Sequence, residues 1–416
     1  MKLENFFKKL GPGLITGASD DDPSGILTYL QGGVMLGFGA LWTVLATLPM
    51  MYAIQEMSGR IGLVTEKGLM RIIKEQYSGP VLFFIAAISA LVITINIGAD
   101  LLAMGTVAQG FVPLSNFFLL PAFTGVILFS IIFFSYRKFA RVLKWLTLSL
   151  FFYVLTVLYL NIDWLSAIRE TFIPNFSWSK NTILLLAAVF GTTISPYLFF
   201  WQANEEIEEE EEQSRKKSFR RIVVTKRVLK SLKEDTFAGM FISNAVAWFI
   251  IVGAAALAKS HGLGGIKNFE QASSVLQPLL GSFAYLAFSL GIIGTGLLAI
   301  PVLAGNIGYM FAEIFNWPEG MNKKFSEAKG FYCAISVATV VGMIINFFQI
   351  DPVTILIYTA VLYLLITPPI VYIILKIANN RHIMKSRTNS GTSNMLGGIT
   401  FLVSLVLAAA YLISLL

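Results

Sequence analysis

Long apolar runs set the pattern of this chain. Residues 81–99 (VLFFIAAISALVITINIGA), 236–258 and 395–416 contain no Asp, Glu, Lys or Arg. A run of about 18 or more such residues is what a helix needs to cross a bilayer. Apolar windows bounded by charge or turn residues predict eleven spans. They lie at about 11–36, 39–59, 81–105, 114–135, 139–161, 182–203, 236–258, 283–315, 330–349, 353–378 and 395–415. Lipid offers the backbone no hydrogen-bond partners, so each span must be a helix. The expected fold class is an all-α polytopic membrane protein, one transport domain over residues 1–416.

Composition agrees. Of 416 residues, 56% are hydrophobic and 13% charged, where a soluble domain carries roughly 25% charged. This excludes a soluble, disordered or disulfide-stapled class. The single cysteine, Cys333, has no internal partner and lies in an apolar run, which reads as a packing residue. The net charge of +7 needs no nucleic acid to explain it. With the amino terminus inside, 27 of the 31 Lys and Arg residues fall on the cytoplasmic side, as the positive-inside rule demands. Eleven spans then place the carboxyl terminus outside. No cleavable leader is expected, because Asp20, Asp21 and Asp22 interrupt the first apolar stretch.

Two spans cannot be regular helices. The first reads GPGLITGASDDDPSGILTYLQGG. Pro23 lacks an N–H and Gly25 is a poor helix former, while charge at membrane depth is tolerated only against a cavity or a partner. A half-helix to about Asp20, a few unwound residues and a second half from about Gly25 satisfy these constraints. The sixth span, ILLLAAVFGTTISPYLFFWQ, repeats the device at Gly191, Thr192, Thr193, Ser195 and Pro196. These two spans open blocks of five, 11–161 and 182–378, with 395–415 left over. Five is odd, so the second block enters the membrane inverted. Interrupted helices in matching positions of inverted halves point to a transporter's substrate site. A packing kink accounts equally well for Pro196 taken alone; it does not account for three adjacent carboxylates.

The run DDPSGILTYLQGG resembles the first-helix signature of the Nramp divalent-metal transporters, Asp-Pro-Gly-Asn followed by Leu-Gln-Gly-Gly. GTTISP resembles the sixth-helix signature of the same family, and Asp235-Thr236 with Asn244 in the seventh span fits the pattern. The resemblance implies a LeuT-type fold with eleven transmembrane helices, spans 1–5 and 6–10 being inverted repeats broken at helices 1 and 6. It also implies a metal site at Asp22, Gly25, Thr192 and Ser195. The departures matter. Gly25 stands where the family has Asn, Ser195 where it has Met, Tyr197 where it has His, and Thr192 where it offers an Ala carbonyl. This looks like the Nramp-related magnesium transporter branch.

Chemistry points the same way. A thioether favours transition metals, whereas carboxylate, carbonyl and hydroxyl oxygens suit hard cations. Mg²⁺ prefers six oxygens, sheds water reluctantly and is usually held by one or two carboxylates plus waters. An all-oxygen, roomier pocket with Asp22 as its anion suits a partly hydrated Mg²⁺, and Mn²⁺ also tolerates such a site. Asp20, Asp21, Ser24, Thr193 and Tyr197 are expected in the outer shell or vestibule. On the third span Asn96 and Ala99 occupy the positions where the resemblance implies acidic proton carriers. Asp100 is displaced by one position, about 100° around the helix. The expectation is therefore uncoupled facilitated transport, with Asp100 either a polar contact or a surviving carrier. Two charges crossing 100 mV gain about 4.6 kcal/mol.

Residues 205–212 (EEIEEEEE) hold seven glutamates. They read either as a solvated helical extension paired with the basic stretch from Arg215 to Lys233, or as a cation-attracting inner mouth with Glu205 and Glu206 foremost. Glu56 is placed to pair with Arg60 one turn later. The partners expected are a divalent ion and the lipid bilayer, with no cofactor, nucleic acid or obligate protein. The alternatives are a proton-coupled Mn²⁺/Fe²⁺ transporter and a sodium-coupled organic-solute symporter. No HExxH or GxSxG motif suggests an enzyme.

Overall fold

The computed structural model describes residues 11–134, 150–175, 177–216, 224–348 and 350–416. Among them the longer helices are α1 (Pro12–Asp20), α2 (Pro23–Leu36), α3 (Trp42–Thr65), α4 (Leu69–Gln76), α5 (Gly79–Ala108), α6 (Asn116–Phe133), α7 (Phe151–Tyr159) and α8 (Trp164–Phe172). They continue as α9 (Lys180–Thr193), α10 (Pro196–Lys216), α11 (Lys226–His261), α12 (Ala284–Phe315), α13 (Lys329–Ile345), α14 (Pro352–Asn379) and α15 (Gly391–Ser414). Nine helical runs among the described residues are long and apolar enough to cross a membrane. The run Pro23–Thr65 merges parts of the first two expected spans, joined by a short 3₁₀ turn at Gly37–Ala40. Of the expected span 139–161 only the part from 150 is described, as α7. Lys2, Lys8, Lys9, Arg137, Lys138, Arg141, Lys144 and the basic residues 217–223 lie outside the described residues.

Both expected breaks are present. The first helix stops at Asp20 and restarts at Pro23, two residues before the expected Gly25. A proline at the first helical position needs no N–H and is already set to helical φ, so Pro23 starts the second half rather than lying in the gap. The other break falls between Thr193 and Pro196.

The long helix α11 backs both halves of the first span, α1 and α2. At Gly17 any Cβ would collide with the Gly239 backbone, the close approach that small residues permit between membrane helices. In the same way α9 lies on α14, where a Cβ at Gly191 would overlap the Ala360 carbonyl. Facing helices α5 and α12 close the other side. The two breaks are thereby enclosed in the centre of the bundle, while phenylalanines such as Phe83, Phe117 and Phe133 face outward.

One expectation is corrected here, and one of two readings is set aside. Cys333 is exposed on α13 rather than packed, because an apolar run in a membrane helix has a lipid face as well as a core face. The glutamate run is not simply solvated. It continues α10, and Glu205 and Glu206 are buried. The expected Glu56–Arg60 pair forms, with Nε to Oε1 at 3.0 Å and both side chains buried. Arg60 also donates to the Arg387 carbonyl and to Asn389 Oδ1, each at 2.5 Å, pinning the segment before α15.

Candidate functional site

At the first break Asp22 is the N-cap of α2. Its Oδ1 accepts the Gly25 N–H at 2.7 Å, satisfying one of the donors a helix start leaves free. Its Oδ2 accepts Nδ2 of Asn96, on α5, at 3.0 Å, and the same nitrogen reaches Asp100 Oδ2 at 3.2 Å. Asp20 and Asp21 converge on one hydroxyl: Ser243 Oγ, on α11, lies 3.2 Å from Asp20 Oδ2 and 3.0 Å from Asp21 Oδ1. Asp20, Asp21 and Asp22 are 1%, 3% and 3% exposed. None of the ion pairs among the described residues reaches them. Burying three such carboxyls without counter-charge is costly, so the site calls for a cation.

Gly25 supplies space rather than a ligand. A Cβ at this position would lie 3.1 Å from the Asp20 carbonyl oxygen, 3.3 Å from Thr192 Oγ1 and 3.4 Å from Asp22 Oδ1. Three oxygens from two broken helices thus surround the point that a side chain at 25 would fill. The structure brings Asp22, Gly25 and Thr192 together. Ser195 sits on the second break, where its Oγ donates to the Thr192 carbonyl at 2.6 Å, closing the carboxyl end of α9. The carboxyl ends of α1 and α9 both carry partial negative charge from their helix dipoles. Among the described residues no group of three His, Cys, Asp or Glu side chains could hold a metal ion. The oxygens gathered at the break are one carboxylate plus carbonyl and hydroxyl oxygens, the donor types that suit hard cations.

The remaining expected residues frame the breaks. Tyr197 OH donates to the Ser19 carbonyl at 3.0 Å and struts one break against the other. Thr193 donates to the Val189 carbonyl at 2.7 Å and accepts from Tyr29 OH at 2.9 Å. Ser24 commits its hydrogen to the Leu356 carbonyl on α14 at 2.9 Å. Asp100 is fully buried on α5, linked through Asn96 to Asp22 rather than touching it. Glu205 and Glu206 lie further along α10. Glu206 Oε1 accepts from Gln202 at 2.8 Å, whose Oε1 accepts from Thr16 of α1 at 2.6 Å.

Sequence reasoning missed Ser243, Tyr29 and Asn306, and valued Asn96 only as an absent acid. Asn306 Nδ2 donates to the Tyr197 carbonyl at 2.6 Å, and Thr367 Oγ1 to the Ile194 carbonyl at 3.3 Å, so spans eight and ten take up carbonyls around the second break. One signal was available: each is a polar side chain inside a long apolar run, where such groups are costly and need a partner.

Comparison with known proteins agrees with this architecture. The sequence model of the family described as "Nramp: Natural resistance-associated macrophage protein-like" matches residues 13–414. The chain is 26% identical over 430 residues to the divalent metal cation transporter MntH of Yersinia pestis, covering 98% of this chain and 95% of that protein. It is 25% identical over 319 residues to MntH of Deinococcus radiodurans, covering 74% and 70%. Among solved structures, the manganese transporter of Eremococcus coleocola in complex with an aromatic bis-isothiourea substituted compound superposes with a TM-score of 0.75 at 14% identity, covering 97% of this chain and 85% of that one. The nucleobase-cation-symport-1 family transporter Mhp1 follows at a TM-score of 0.60 and 11% identity, covering 98% and 90%. The fold is the LeuT type.

Proposed function

Because the chain belongs to the Nramp family, we propose that it is a divalent metal cation transporter working by alternating access through the breaks of its first and sixth spans. The observation that carries this reading is the meeting of Asp22, Thr192 and the Asp20 carbonyl around Gly25, with no basic side chain among the described residues in ion-pair contact with Asp20, Asp21 or Asp22. A cation entering there neutralises the buried carboxyls, and its departure restores the repulsion. Unwound backbone at the site lets each half-helix tilt without tearing a continuous hydrogen-bond ladder.

Manganese is the ion named for the Eremococcus relative, and MntH is named as a divalent metal cation transporter. These names support transport of Mn²⁺, the ion of the first alternative, more directly than transport of magnesium. One specific observation favours a second reading, uncoupled passage of partly hydrated Mg²⁺. The three atoms nearest the space beside Asp22 are all oxygens, and the residue that leaves this space open is a glycine. The non-titratable Asn96 in direct contact with Asp22 supports the uncoupled form. We further propose a multi-pass cell-membrane protein with its amino terminus inside and its carboxyl terminus outside, on the distribution of Lys and Arg.

Uptake into proteoliposomes carrying an internal pH dye tests the transport readings. Mn²⁺ entry with acidification supports the first reading, and Mg²⁺ entry without acidification supports the second. Absence of flux for Mn²⁺, Mg²⁺ and Ca²⁺ alike in folded protein removes the transporter assignment.

A further inference from the structure

The first half-helix is weak by its own sequence. α1 has nine residues, Pro12–Asp20, fewer than the roughly 12–15 at which an isolated helix becomes even marginal in water. Gly13 and Gly17 lie inside it, and glycine is a poor helix former. Its N-cap is Gly11, which has no side chain to accept from the free N–H groups of the first turn. Yet the far end of this helix delivers the Asp20 carbonyl to the space beside Gly25 and leads directly into Asp22.

What α1 lacks, α11 supplies. Asp235, a buried residue of α11, takes the place of the missing cap. Its Oδ1 accepts the Gly11 N–H at 2.9 Å and its Oδ2 the Gly13 N–H at 2.6 Å. Pro12, between them, has no N–H to satisfy. Both oxygens of one carboxylate thus serve the helix start, where the positive end of the dipole favours an anion.

Gly239 and Ser243 follow Asp235 at intervals of four, the spacing of neighbours along one side of a helix. A Cβ at Gly17 would strike the Gly239 backbone, and Ser243 Oγ meets Asp20 and Asp21. One side of α11 therefore holds α1 at its start, its middle and its end. The contact also fixes register. A Cβ at Gly13 would lie 2.6 Å from the Thr236 nitrogen. A slide of one residue would press Pro12 or Leu14, and Thr16 or Ala18, against the same backbone. From α10, Gln202 accepts from Thr16 and Tyr197 donates to the Ser19 carbonyl. Both bonds are neutral and lie beyond the first turn of α1.

We propose that Asp235 is a positioning residue for the ion site: roughly 13 Å from the break, it caps α1 from α11 and fixes the register of that half-helix, and with it the place of the Asp20 carbonyl and Asp22. Asp235 does not touch the ion. Without it α1 frays from its start, and the oxygens at its far end lose their fixed place. The consequence is weaker capture of the ion rather than slower passage of the captured one.

The role in transport rests on the transporter reading; the hold on α1 does not, and two measurements separate them. The first is amide hydrogen exchange of residues 12–20, followed by mass spectrometry on the full solubilised chain. Asp235→Ala is expected to lower their protection by about fivefold or more, with residues 244–258 unchanged. Asp235→Asn keeps one acceptor without the charge and should fall between. The second is Mn²⁺ uptake into proteoliposomes, normalised to folded protein. Here Asp235→Ala should raise the KM by about fivefold with a smaller change in maximal rate, and Asp235→Asn should recover part of it. Unchanged protection of residues 12–20 in both variants overturns the proposal. Lost protection with an unchanged KM also overturns it, since Asp235 would then be a structural cap alone. If Asp235→Ala fails to fold, the nearly isosteric Asp235→Asn decides both measurements. If wild type moves no divalent ion while Asp235→Ala lowers the protection, the transporter reading fails and the ion role with it, and the cap stands.

Discussion

Asn96 holds Asp22 from behind: its amide nitrogen lies 3.0 Å from Asp22 Oδ2, while Asp22 Oδ1 faces the Gly25 N–H. One carboxylate is thus fixed at both oxygens by groups from two helices, which orients it toward Thr192 before any ion arrives. Partners of this kind commonly contribute 10–100-fold, roughly, to metal affinity. Asn96→Ala should raise the KM for the transported ion by about tenfold with a smaller change in maximal rate. An unchanged KM in concentration-dependent uptake would show that Asp22 needs no such support.

Asp22 itself should be indispensable. Asp22→Ala is expected to abolish uptake while leaving the gel-filtration profile intact. In wild type, saturating ion at a hundredfold over Kd should add about 2.7 kcal/mol to apparent stability, read as a shift in melting temperature, and Asp22→Ala should lose that shift. Retained flux would remove Asp22 from the site.

Gly25 sets the room beside the ion. Asn at this position would fill the space between the Asp20 carbonyl, Thr192 and Asp22 and add an amide oxygen. Mg²⁺ gives up water reluctantly, so Gly25→Asn should move selectivity toward Mn²⁺, by about tenfold or 1.4 kcal/mol, in a Mn²⁺/Mg²⁺ competition assay. An unaltered ratio would mean that the ion does not use this space.

The Glu56–Arg60 pair is buried and its guanidinium also serves Arg387 and Asn389. Removing one partner of such a pair costs about 3–5 kcal/mol. Arg60→Ala should therefore lower the melting temperature steeply. Arg60→Lys should recover only part of the loss, since an ammonium lacks the planar fork. Full recovery by Lys would reduce the network to simple charge.

Gly191 is held to glycine by α14. Any Cβ there would overlap the Ala360 carbonyl, and overpacking of this kind costs about 1–3 kcal/mol. Gly191→Ala should destabilise the protein and, by shifting Thr192 and Ser195, also weaken uptake. Normal stability and uptake would show that α9 and α14 can part without consequence.

Local chemistry made much of this molecule legible. The spans follow from apolar length, and the breaks from Pro23 and Pro196, because each proline acts on its own stretch of backbone. The Glu56–Arg60 pair followed from helical spacing alone. Cys333 was misread, and Glu205 was left between two readings, for one reason. Whether a helix position faces lipid, water or core depends on how the helix is rotated against its neighbours, and an apolar or acidic run does not record that rotation.

What the sequence determined by itself, then, is that the chain is helical in lipid, where it must unwind, and which carboxyl stands at the first unwound point. Tertiary structure decided the partners: Asn96 behind Asp22, Ser243 between Asp20 and Asp21, Tyr197 against Ser19, and Asp235 at the start of α1. The physical reason is distance along the chain. Hydrogen bonds between helices 70 to 240 residues apart, roughly, depend on rotation and close approach of whole helices, and in a membrane that approach is set by small residues and packing.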